Sequence, residues 1–347
     1  MTMQVNIVMG GPSAEYEVSL HSGFEILTHI RKDLYKIRIV TITKSQQFFY
    51  SDIGSSLPDF SELLSPEKSD QFKGPFTAAS SDPVWENCDI AFLALHGSYG
   101  EDGIIQGFLD TLGITYTGSG VLASAIAMDK IISKFIFIQN GFTVPPFSVF
   151  GKNFPDITPD ILERKHGFPC FIKCPQSGSS RLMGRAGSKE DLVDLINDLS
   201  KHSPGLLVES SIEGPEFSCG VIEQNDGSLI PLPPVEIRPK SIFFDYKAKY
   251  TTGESIELVP APQPEELLKQ IQKIALDAHR AIGCSGISRT DMILNNDSLY
   301  VLEINTLPGM TKNSLLPRAF MSCKGTYSDL IDTIINSALN KRQYGVK

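Results

Sequence analysis

Two short apolar segments near the start of the chain constrain its fold more than any other sequence feature. Residues 5–9 (VNIVM) and 89–95 (DIAFLAL) are almost continuously apolar, as strands buried on both faces of a parallel sheet tend to be. Between them lie a helical pattern at residues 18–30, with Ser13 as its expected N-cap, and a strand at 35–42. This alternation predicts an open parallel α/β sheet.

The rest of the chain predicts further sheets and helices. Residues 51–84, rich in Ser, Pro and Asp, resemble a variable loop region. Helices are expected at residues 122–140, 188–201, 264–282 and 327–339, and strands at 168–174, 206–212, 216–224, 228–237, 286–294 and 298–306, with a Gly/Ser-rich turn after 174. A chain of 347 residues is too long to fold around one small hydrophobic core. We therefore expect three α/β or α+β blocks, at residues 1–118, 119–208 and 209–347.

Charge and composition exclude several classes of protein. The chain has 31 basic and 40 acidic residues, so its net charge of −9 gives no general reason to bind nucleic acid or an anionic membrane. No apolar run reaches the roughly 18 residues that span a bilayer, and no secretory signal is visible. The six cysteines form no CxxC pair. These features predict a cytoplasmic protein with reduced thiols.

The strongest local feature lies near the C-terminal end, where two predicted strands carry polar residues at alternate positions. Arg289 and Asp291 share one face of the first strand, and Glu303 and Asn305 share one face of the second. If the strands are neighbours, Asp291, Glu303 and Asn305 form an all-oxygen cluster suited to Mg²⁺. A solvated strand edge is the alternative, but the apolar neighbours in VLEINTLPGM favour the metal site.

Two other segments could bind a ligand. Lys173 ends an apolar strand and precedes Gly178-Ser179-Ser180, so it could neutralise a phosphate, although a flexible hairpin with a surface lysine fits this segment equally well. His96 opens the segment HGSYGEDG directly after the strand DIAFLAL. Ligands bind beyond the carboxyl ends of such strands, so this segment is predicted to contact a substrate.

Seven segments, in this order, resemble the D-alanine–D-alanine ligases: HGSYGEDG, YTGSGVLASAIAMDK, KCPQSGSS, GPEFSCGV, FDYKAKY, SRTDMIL and LEINTLPGMTKNSLLP. These are ATP-grasp enzymes of bacterial peptidoglycan precursor synthesis. With GGPSAEYEVSL, the resemblance runs from about residue 10 to about 320. It implies a three-domain ATP-grasp fold with an N-terminal open parallel sheet domain, and a homodimer.

The resemblance also implies which residues bind ATP and metal. Asp291, Glu303 and Asn305 match the ligands of two Mg²⁺ ions, with Mn²⁺ as an alternative ion. The positions matching ATP contacts are Lys130, Lys173, Ser180, Glu209, Ile212, Glu216, Phe243 and Lys249. Of these, Lys249 lies in FFDYKAKYTTGES, which is expected to close over the phosphates.

The substrate positions follow from the same resemblance. The positions implied to bind or act on the two D-alanines are Glu15, Ser179, Tyr250, Arg289, His96, Gly309, Ser314 and Leu315. Glu15 matches the acid that recognises the first D-alanine's ammonium group, and Tyr250 matches a tyrosine that joins Glu15 and Ser179. The implied reaction transfers the γ-phosphoryl group to the first D-alanine, and the second D-alanine's amine attacks the acylphosphate.

The chain departs from the family pattern at three positions. Arg181 and Leu182 stand where an apolar residue and a glycine are usual, and Cys174 replaces the usual proline. A D-alanine–D-lactate ligase is the nearest alternative, and Tyr250 argues against it because some lactate-using members have phenylalanine there. A non-catalytic ATP-binding regulator is a second alternative, but it would not need every charged position of the family's chemistry, and all of them are present here. An NAD-dependent dehydrogenase would need a complete glycine fingerprint, which this chain lacks.

Overall fold

The structure, a computed structural model, describes residues 2–54, 57–77, 82–153, 156–178, 182–239 and 255–343. Its first sheet has the order β4-β3-β2-β1-β5-β6. The strands are β1 Met3–Gly10, β2 Tyr35–Ile42, β3 Phe48–Asp52, β4 Lys73–Phe76, β5 Ile90–Leu93 and β6 Thr115–Tyr116. Strand β1 is parallel to β2 and β5, and β5 is parallel to β6. The predicted parallel sheet is confirmed.

The edge of this sheet corrects the prediction of a variable loop at residues 51–84. Strands β3 and β4 add antiparallel partners beyond β2, and a short helix, α2 (Phe60–Leu64), lies between them. The aromatic residues of β3 are buried and hold it against the sheet. Strand β4 contains Gly74 and Pro75, which argue against a central strand but are tolerated at an edge.

Two further helices pack with the first sheet, α1 (Tyr16–His29) and α3 (Ile104–Leu112). Helix α1 begins after Glu15, so the expectation that Ser13 is its N-cap is wrong. The Ser13 hydroxyl instead donates to the His96 carbonyl and accepts the Glu15 N–H. A contact across 83 residues thus replaces a local cap, which sequence spacing could not reveal.

The middle of the chain forms a separate antiparallel sheet in the order β7-β10-β8-β9. Its elements are β7 Phe147–Gly151, α6 Pro159–His166, β8 Cys170–Lys173, β9 Met183–Ala186, α7 Lys189–Leu199 and β10 Gly205–Ser210. Strand β9 lies inside the segment predicted to be only a Gly/Ser-rich turn. The helix expected at 122–140 is two helices, α4 (Val121–Met128) and α5 (Lys130–Gln139), because Asp129 leaves the helical conformation and caps α5.

The last third forms an antiparallel sheet in the order β14-β13-β11-β15-β16, with β12 paired to β11. Its elements are β11 Glu216–Glu223, β12 Leu229–Pro231, β13 Val235–Pro239, β14 Ser255–Leu258, α8 Glu265–Ile282, β15 Ile287–Asn295, β16 Ser298–Asn305, α9 Leu315–Met321 and α10 Tyr327–Gln343. The single strand expected at 228–237 is therefore two strands, β12 and part of β13.

The cores show how the sheets are joined. One buried cluster contains residues of β1, α1, β11, α9 and α10, so the first and third sheets share a core. The middle sheet has its own core with α6 and α7. The domain boundaries after residues 118 and 208 stay a prediction. Among the described residues, no helix is both long and apolar enough to cross a membrane.

Candidate active site

The predicted oxygen cluster is assembled by two neighbouring strands. Strands β15 and β16 are antiparallel partners, with Asp291 opposite Glu303 and Arg289 opposite Asn305. The ladder shifts register directly after Asp291. The condition on which the predicted cluster depends, that these strands are neighbours, is met, and the residues predicted to bind metal lie on paired strands.

Cationic and polar groups hold the two carboxylates. Arg289 donates from Nε to Asp291 Oδ1 at 3.0 Å and from Nη2 to Oδ2 at 2.8 Å, and the Ser218 hydroxyl donates to Oδ1 at 2.7 Å. Asn305 Nδ2 lies 3.5 Å from Asp291 Oδ2, and Lys130 Nζ lies 3.1 Å from Glu303 Oε2. Arg289 and Lys130 thus neutralise the two carboxylates, and Ser218 and Asn305 make further polar contacts to Asp291.

The donor set fits a hard cation such as Mg²⁺. Two carboxylates and an amide oxygen leave coordination positions for waters and phosphates, which is how Mg²⁺ is usually bound. In the described part of the chain, no three His, Cys, Asp or Glu side chains form a group that could hold a metal ion. The candidate site has two such side chains, Asp291 and Glu303, with Asn305 as the third donor.

Lys130 also joins this cluster to the Gly/Ser turn. Its Nζ donates to the Ser177 carbonyl at 2.9 Å, and its N–H donates to the Pro175 carbonyl. Lys130 begins α5, directly after the capping residue Asp129, which accepts from Gln176 at 3.0 Å. The start of the turn is thus held beside Glu303. Ser179, Ser180 and Arg181 lie outside the described residues.

A buried ionic trio lies behind the turn. Glu209 of β10 is 3% exposed, and its two oxygens lie 2.5 Å from Lys134 Nζ and 2.6 Å from Lys173 Nζ. Burial would raise the pKa of Glu209, but the two lysines outweigh burial and lower it to about 2. Burial lowers the pKa of Lys173, whereas Glu209, Glu303 and Glu216 raise it, and the net shift is upward.

Lys134 is a member that sequence reasoning missed. Its charged side chain is only 1% exposed, because it lies among apolar neighbours on α5. A lysine within KIISKFIFIQ, one helical turn after Lys130, is the signal that could have indicated it. A buried lysine in an apolar helical segment is expected to pair with a carboxylate, because an unpaired buried charge is costly.

Glu15 lies where three segments meet. A methyl group added at Gly178 would lie 2.9 Å from Glu15 Oε2, and one added at Gly97 would collide with the same oxygen. Gly97 has φ +68°, a conformation that favours glycine. The two glycine turns therefore close around the Glu15 carboxylate.

His96 follows β5 and is buried. Its Nε2 lies 2.8 Å from the Ser22 hydroxyl, and its Nδ1 lies 3.1 Å from the Leu307 carbonyl. Burial lowers the pKa of His96, helped by Arg289 and opposed by Glu15 and the Leu307 carbonyl. Both ring nitrogens are thus engaged by protein groups.

Glu101, in the same glycine-rich segment, is a second residue that was not singled out. Its oxygens accept the Gly97 N–H at 2.7 Å and the Leu307 N–H at 3.4 Å. Burial and the nearby Glu15 carboxylate raise the pKa of Glu101 to about 8, although the two N–H groups and Arg289 oppose the shift. Its place in HGSYGEDG was the available signal.

The remaining predicted residues divide into three groups. Gly309 and Ser314 lie together, since a methyl group on Gly309 would lie 2.8 Å from Ser314 Oγ, and Leu315 begins α9 directly after Ser314. Ile212 lies in the connection from β10 to β11, and Glu216 is the first residue of β11. Phe243, Lys249 and Tyr250 lie outside the described residues.

Comparison with known proteins agrees with this arrangement. Residues 4–119 match the sequence profile described as D-ala D-ala ligase N-terminus, and residues 136–336 match the one described as D-ala D-ala ligase C-terminus. A relative named D-alanine–D-alanine ligase, from Leptospira biflexa, is 38% identical over 97% of this chain and 99% of its own.

Solved structures are similar over nearly the whole length. The VanG D-Ala:D-Ser ligase from Enterococcus faecalis has a TM-score of 0.85 and 29% identity, covering 97% of this chain and 100% of its own. The D-alanine–D-alanine ligase from Bacillus anthracis, complexed with ATP, has a TM-score of 0.76 and 33% identity, covering 99% of each chain. With two profiles matching most of its length, the chain belongs to the D-alanine–D-alanine ligase family.

Proposed function

We propose that this protein joins two D-alanine molecules into D-alanyl-D-alanine at the expense of ATP, through a D-alanyl phosphate intermediate, for peptidoglycan precursor synthesis. The observation that carries the proposal is the position of Lys130, whose Nζ contacts both Glu303 of the acidic cluster and the Ser177 carbonyl of the Gly/Ser turn. A phosphate chain between the turn and the cluster would meet cationic groups on both sides.

The chemistry explains why these groups are needed. A carboxylate is a poor electrophile because its leaving group would be oxide, and phosphorylation provides a better leaving group. The anionic D-alanine carboxylate must approach an anionic triphosphate, so positive charge must be supplied. Lys130, Lys173 and Arg289 provide it within the described residues, and Lys249 is proposed to add to it.

Asp291, Glu303 and Asn305 are proposed to hold Mg²⁺, with Mn²⁺ as an alternative. An ion held there would supply positive charge that reduces the repulsion between the ATP phosphates and the substrate carboxylate. Arg289, already bonded to Asp291, is proposed to stabilise the oxyanion with the Gly309 backbone. Lys173 and Glu209 are proposed to bind the nucleotide, with Ser180, Ile212, Glu216 and Phe243.

The two D-alanine sites are proposed at Glu15 and at the start of α9. Glu15, enclosed by two glycine turns, is the proposed partner of the first D-alanine's ammonium group. Ser314 and Leu315 are proposed to contact the second D-alanine. Tyr250 is proposed to link Glu15 and Ser179 and to favour an amine nucleophile over D-lactate.

Product analysis tests the proposal directly. The protein is incubated with ATP, Mg²⁺ and D-alanine, alone and with equimolar D-lactate or D-serine, and the products are identified by mass spectrometry. We expect D-alanyl-D-alanine, ADP and phosphate in every mixture. If D-alanyl-D-lactate or D-alanyl-D-serine is the main product, the second substrate is D-lactate or D-serine instead of D-alanine. If no ligated product forms, the proposed catalytic role is contradicted.

The assembly and location are also proposals. Three large apolar side chains, Ile104, Val121 and Leu122, are exposed near one another where α3 and α4 pack, and they support the proposed homodimer. Sedimentation velocity should give a mass of two chains, and Leu122→Glu should reduce it to one. The free thiols of all six cysteines support a reducing, cytoplasmic setting.

A further inference from the structure

The segment directly after Asn305 is held in an unusual way. We call residues 306–310 the strap; it connects the end of β16 to the loop before α9. Leu307 donates its N–H to Glu101 and its carbonyl accepts from His96. Met310 donates its N–H to the Ser22 hydroxyl at 3.3 Å, and its carbonyl accepts from the Tyr327 hydroxyl. All four backbone polar groups of these two residues are thus bonded to side chains far away in sequence.

The chemistry of these groups sets the direction of the hydrogen bonds. A carbonyl can only accept, so His96 Nδ1 carries the proton that it donates to Leu307. In a neutral ring Nε2 is then an acceptor, and the Ser22 hydroxyl must donate to it. The Ser22 oxygen in turn accepts from Met310. Leu307, His96, Ser22 and Met310 therefore form one continuous chain of hydrogen bonds.

The same arrangement leaves one strap donor available. Pro308 has no N–H, and within the described residues the Gly309 N–H has no hydrogen-bond partner. Gly309 is partly exposed and faces Ser314, whose hydroxyl would be crowded by a side chain at Gly309. Clamping the residues on both sides of Pro308-Gly309 therefore fixes where this N–H lies.

We propose that Ser22 and His96 are positioning residues that, with Glu101 and Tyr327, hold the strap so that the Gly309 N–H is preset for an anionic substrate oxygen. This rests on the proposed function for the identity of that oxygen. On this account His96 acts through Leu307 and Ser22 rather than by touching substrate. Ser22 is completely buried on α1, so it acts only through these contacts.

The chain of hydrogen bonds requires a neutral His96. A protonated ring would donate from Nε2 to the Ser22 oxygen, and the Ser22 hydroxyl proton would then lose the acceptor that the neutral ring provides. The charged groups that act on His96 are Glu15 from the start of α1 and Arg289 from β15, and Glu101 shares its loop. Burial and Arg289 favour the neutral ring, whereas Glu15 favours the charged one.

The first experiment reads the histidine directly and needs no activity. Long-range ¹H–¹⁵N spectra of histidine-labelled protein, with His96→Asn to assign the signal, should show a neutral ring protonated on Nδ1 at pH 7. Ser22→Ala should shift the Nε2 resonance of this ring, because that nitrogen loses its donor. A ring protonated on Nε2, a charged ring, or an unchanged Nε2 signal would overturn the proposal.

The second experiment uses kinetics with a matched control. Ser22→Ala should lower kcat/KM for D-alanine about 10- to 100-fold, the effect of losing one or two hydrogen bonds, with KM for ATP unchanged. Ser337→Ala, an equally buried serine on α10, should leave both values near wild type. Equal effects of the two variants, or a Ser22→Ala defect shared equally by ATP, would contradict positioning.

Together, the two experiments distinguish a failure of the positioning proposal from a failure of the proposed function. If the wild-type protein makes no dipeptide, the proposed function fails while the spectra still test the hydrogen-bond chain. If Ser22→Ala does not fold, His96→Asn replaces it. Asn can still donate to the Leu307 carbonyl but offers Ser22 no ring nitrogen, so the same kinetic loss is expected, and normal kinetics would overturn the proposal.

Discussion

At the scale of single residues, this protein places charge where it is costly and compensates each case locally. Glu209 and Lys134 are both almost completely buried, and the ion pair between them offsets part of the cost of burying each charge. Lys173 shares Glu209 but is 17% exposed, so it can also reach a nucleotide. We infer that Lys134 keeps Glu209 paired when Lys173 turns to phosphate.

Replacing Lys134 tests whether Lys134 and Lys173 have these separate roles. Lys134→Met should lower the free energy of unfolding by about 3 kcal/mol, as expected when one partner of a buried ion pair is removed. It should also weaken ATP binding, because Lys173 becomes the sole partner of Glu209. Urea denaturation and titration calorimetry measure the two effects. Lys201→Met, at a position with a 70% exposed side chain, is the control and should change stability little.

The pH dependence of Glu101 has a definite sign. Its pKa is about 8, well above the ordinary carboxyl value, so the folded protein retains a proton that the unfolded chain has released. Stability should therefore fall as the pH rises from about 4.5 to about 8. Glu101→Gln carries no such proton, so its stability relative to wild type should improve across this window.

Denaturant unfolding at pH 5, 6.5 and 8 measures that difference, with the exposed Glu86→Gln as control. A difference between Glu101→Gln and wild type that stays constant with pH would show that Glu101 is ionised in the folded protein.

The metal proposal gives a further test. Glu303→Gln should leave a folded protein whose turnover at moderate Mg²⁺ falls by at least about 100-fold, comparable to losing one electrostatic transition-state contact. Steady-state kinetics measure it, with Glu266→Gln on the exposed face of α8 as control. Turnover near the wild-type level would show that Glu303 is not a metal ligand.

At the scale of elements, the hairpin of β8 and β9 shows what one departure from the family pattern adds. The Cys174 N–H donates to the Leu182 carbonyl at 2.8 Å, which closes the hairpin at the Gly/Ser turn. A proline at position 174, usual in the family, has no N–H to donate. Cys174 therefore adds a backbone hydrogen bond, whereas any residue at position 182 would offer the same carbonyl.

Cys174→Pro should remove this hydrogen bond and lower the free energy of unfolding by about 1 kcal/mol. Cys174→Ala keeps the N–H and loses only part of a small buried side chain, so it separates the two contributions. Chemical denaturation measures both variants. A proline variant no less stable than the alanine variant would show that the bond contributes nothing.

At the scale of the whole molecule, the first and third sheets share a core whereas the middle sheet has its own. The proposed nucleotide contacts lie on both sides of this division, because Lys173 and Glu209 belong to the middle sheet and Glu216 and Glu303 to the third. ATP should therefore stabilise the middle sheet by linking it to the rest.

Calorimetry should show two overlapping unfolding transitions without nucleotide, and ATP with Mg²⁺ should move the lower one toward the upper. Hydrogen exchange would assign the lower transition to the middle sheet, residues 147–210. A single transition in the absence of nucleotide would mean that the sheets already unfold as one unit.

Much of this protein could be predicted before any coordinates. The parallel strands, helix α8 and strands β15 and β16 follow from periodicity, because burial on one or both faces leaves a local pattern. The shared face of Glu303 and Asn305 also followed, since alternate strand residues point the same way. These features depend on neighbours within a few residues, whereas the pairing of β15 with β16, which brings Asp291 to Glu303, was a condition that the structure supplied.

Other features depend on contacts between distant segments, and only the tertiary structure decided them. Ser13 bonds to His96 rather than capping a helix, and Lys134 is buried because β10 brings Glu209 to it. The four contacts that clamp Leu307 and Met310 come from α1, the glycine-rich segment and α10. No local pattern encodes them, because the free energy of a buried polar group is set by the partner that the fold supplies.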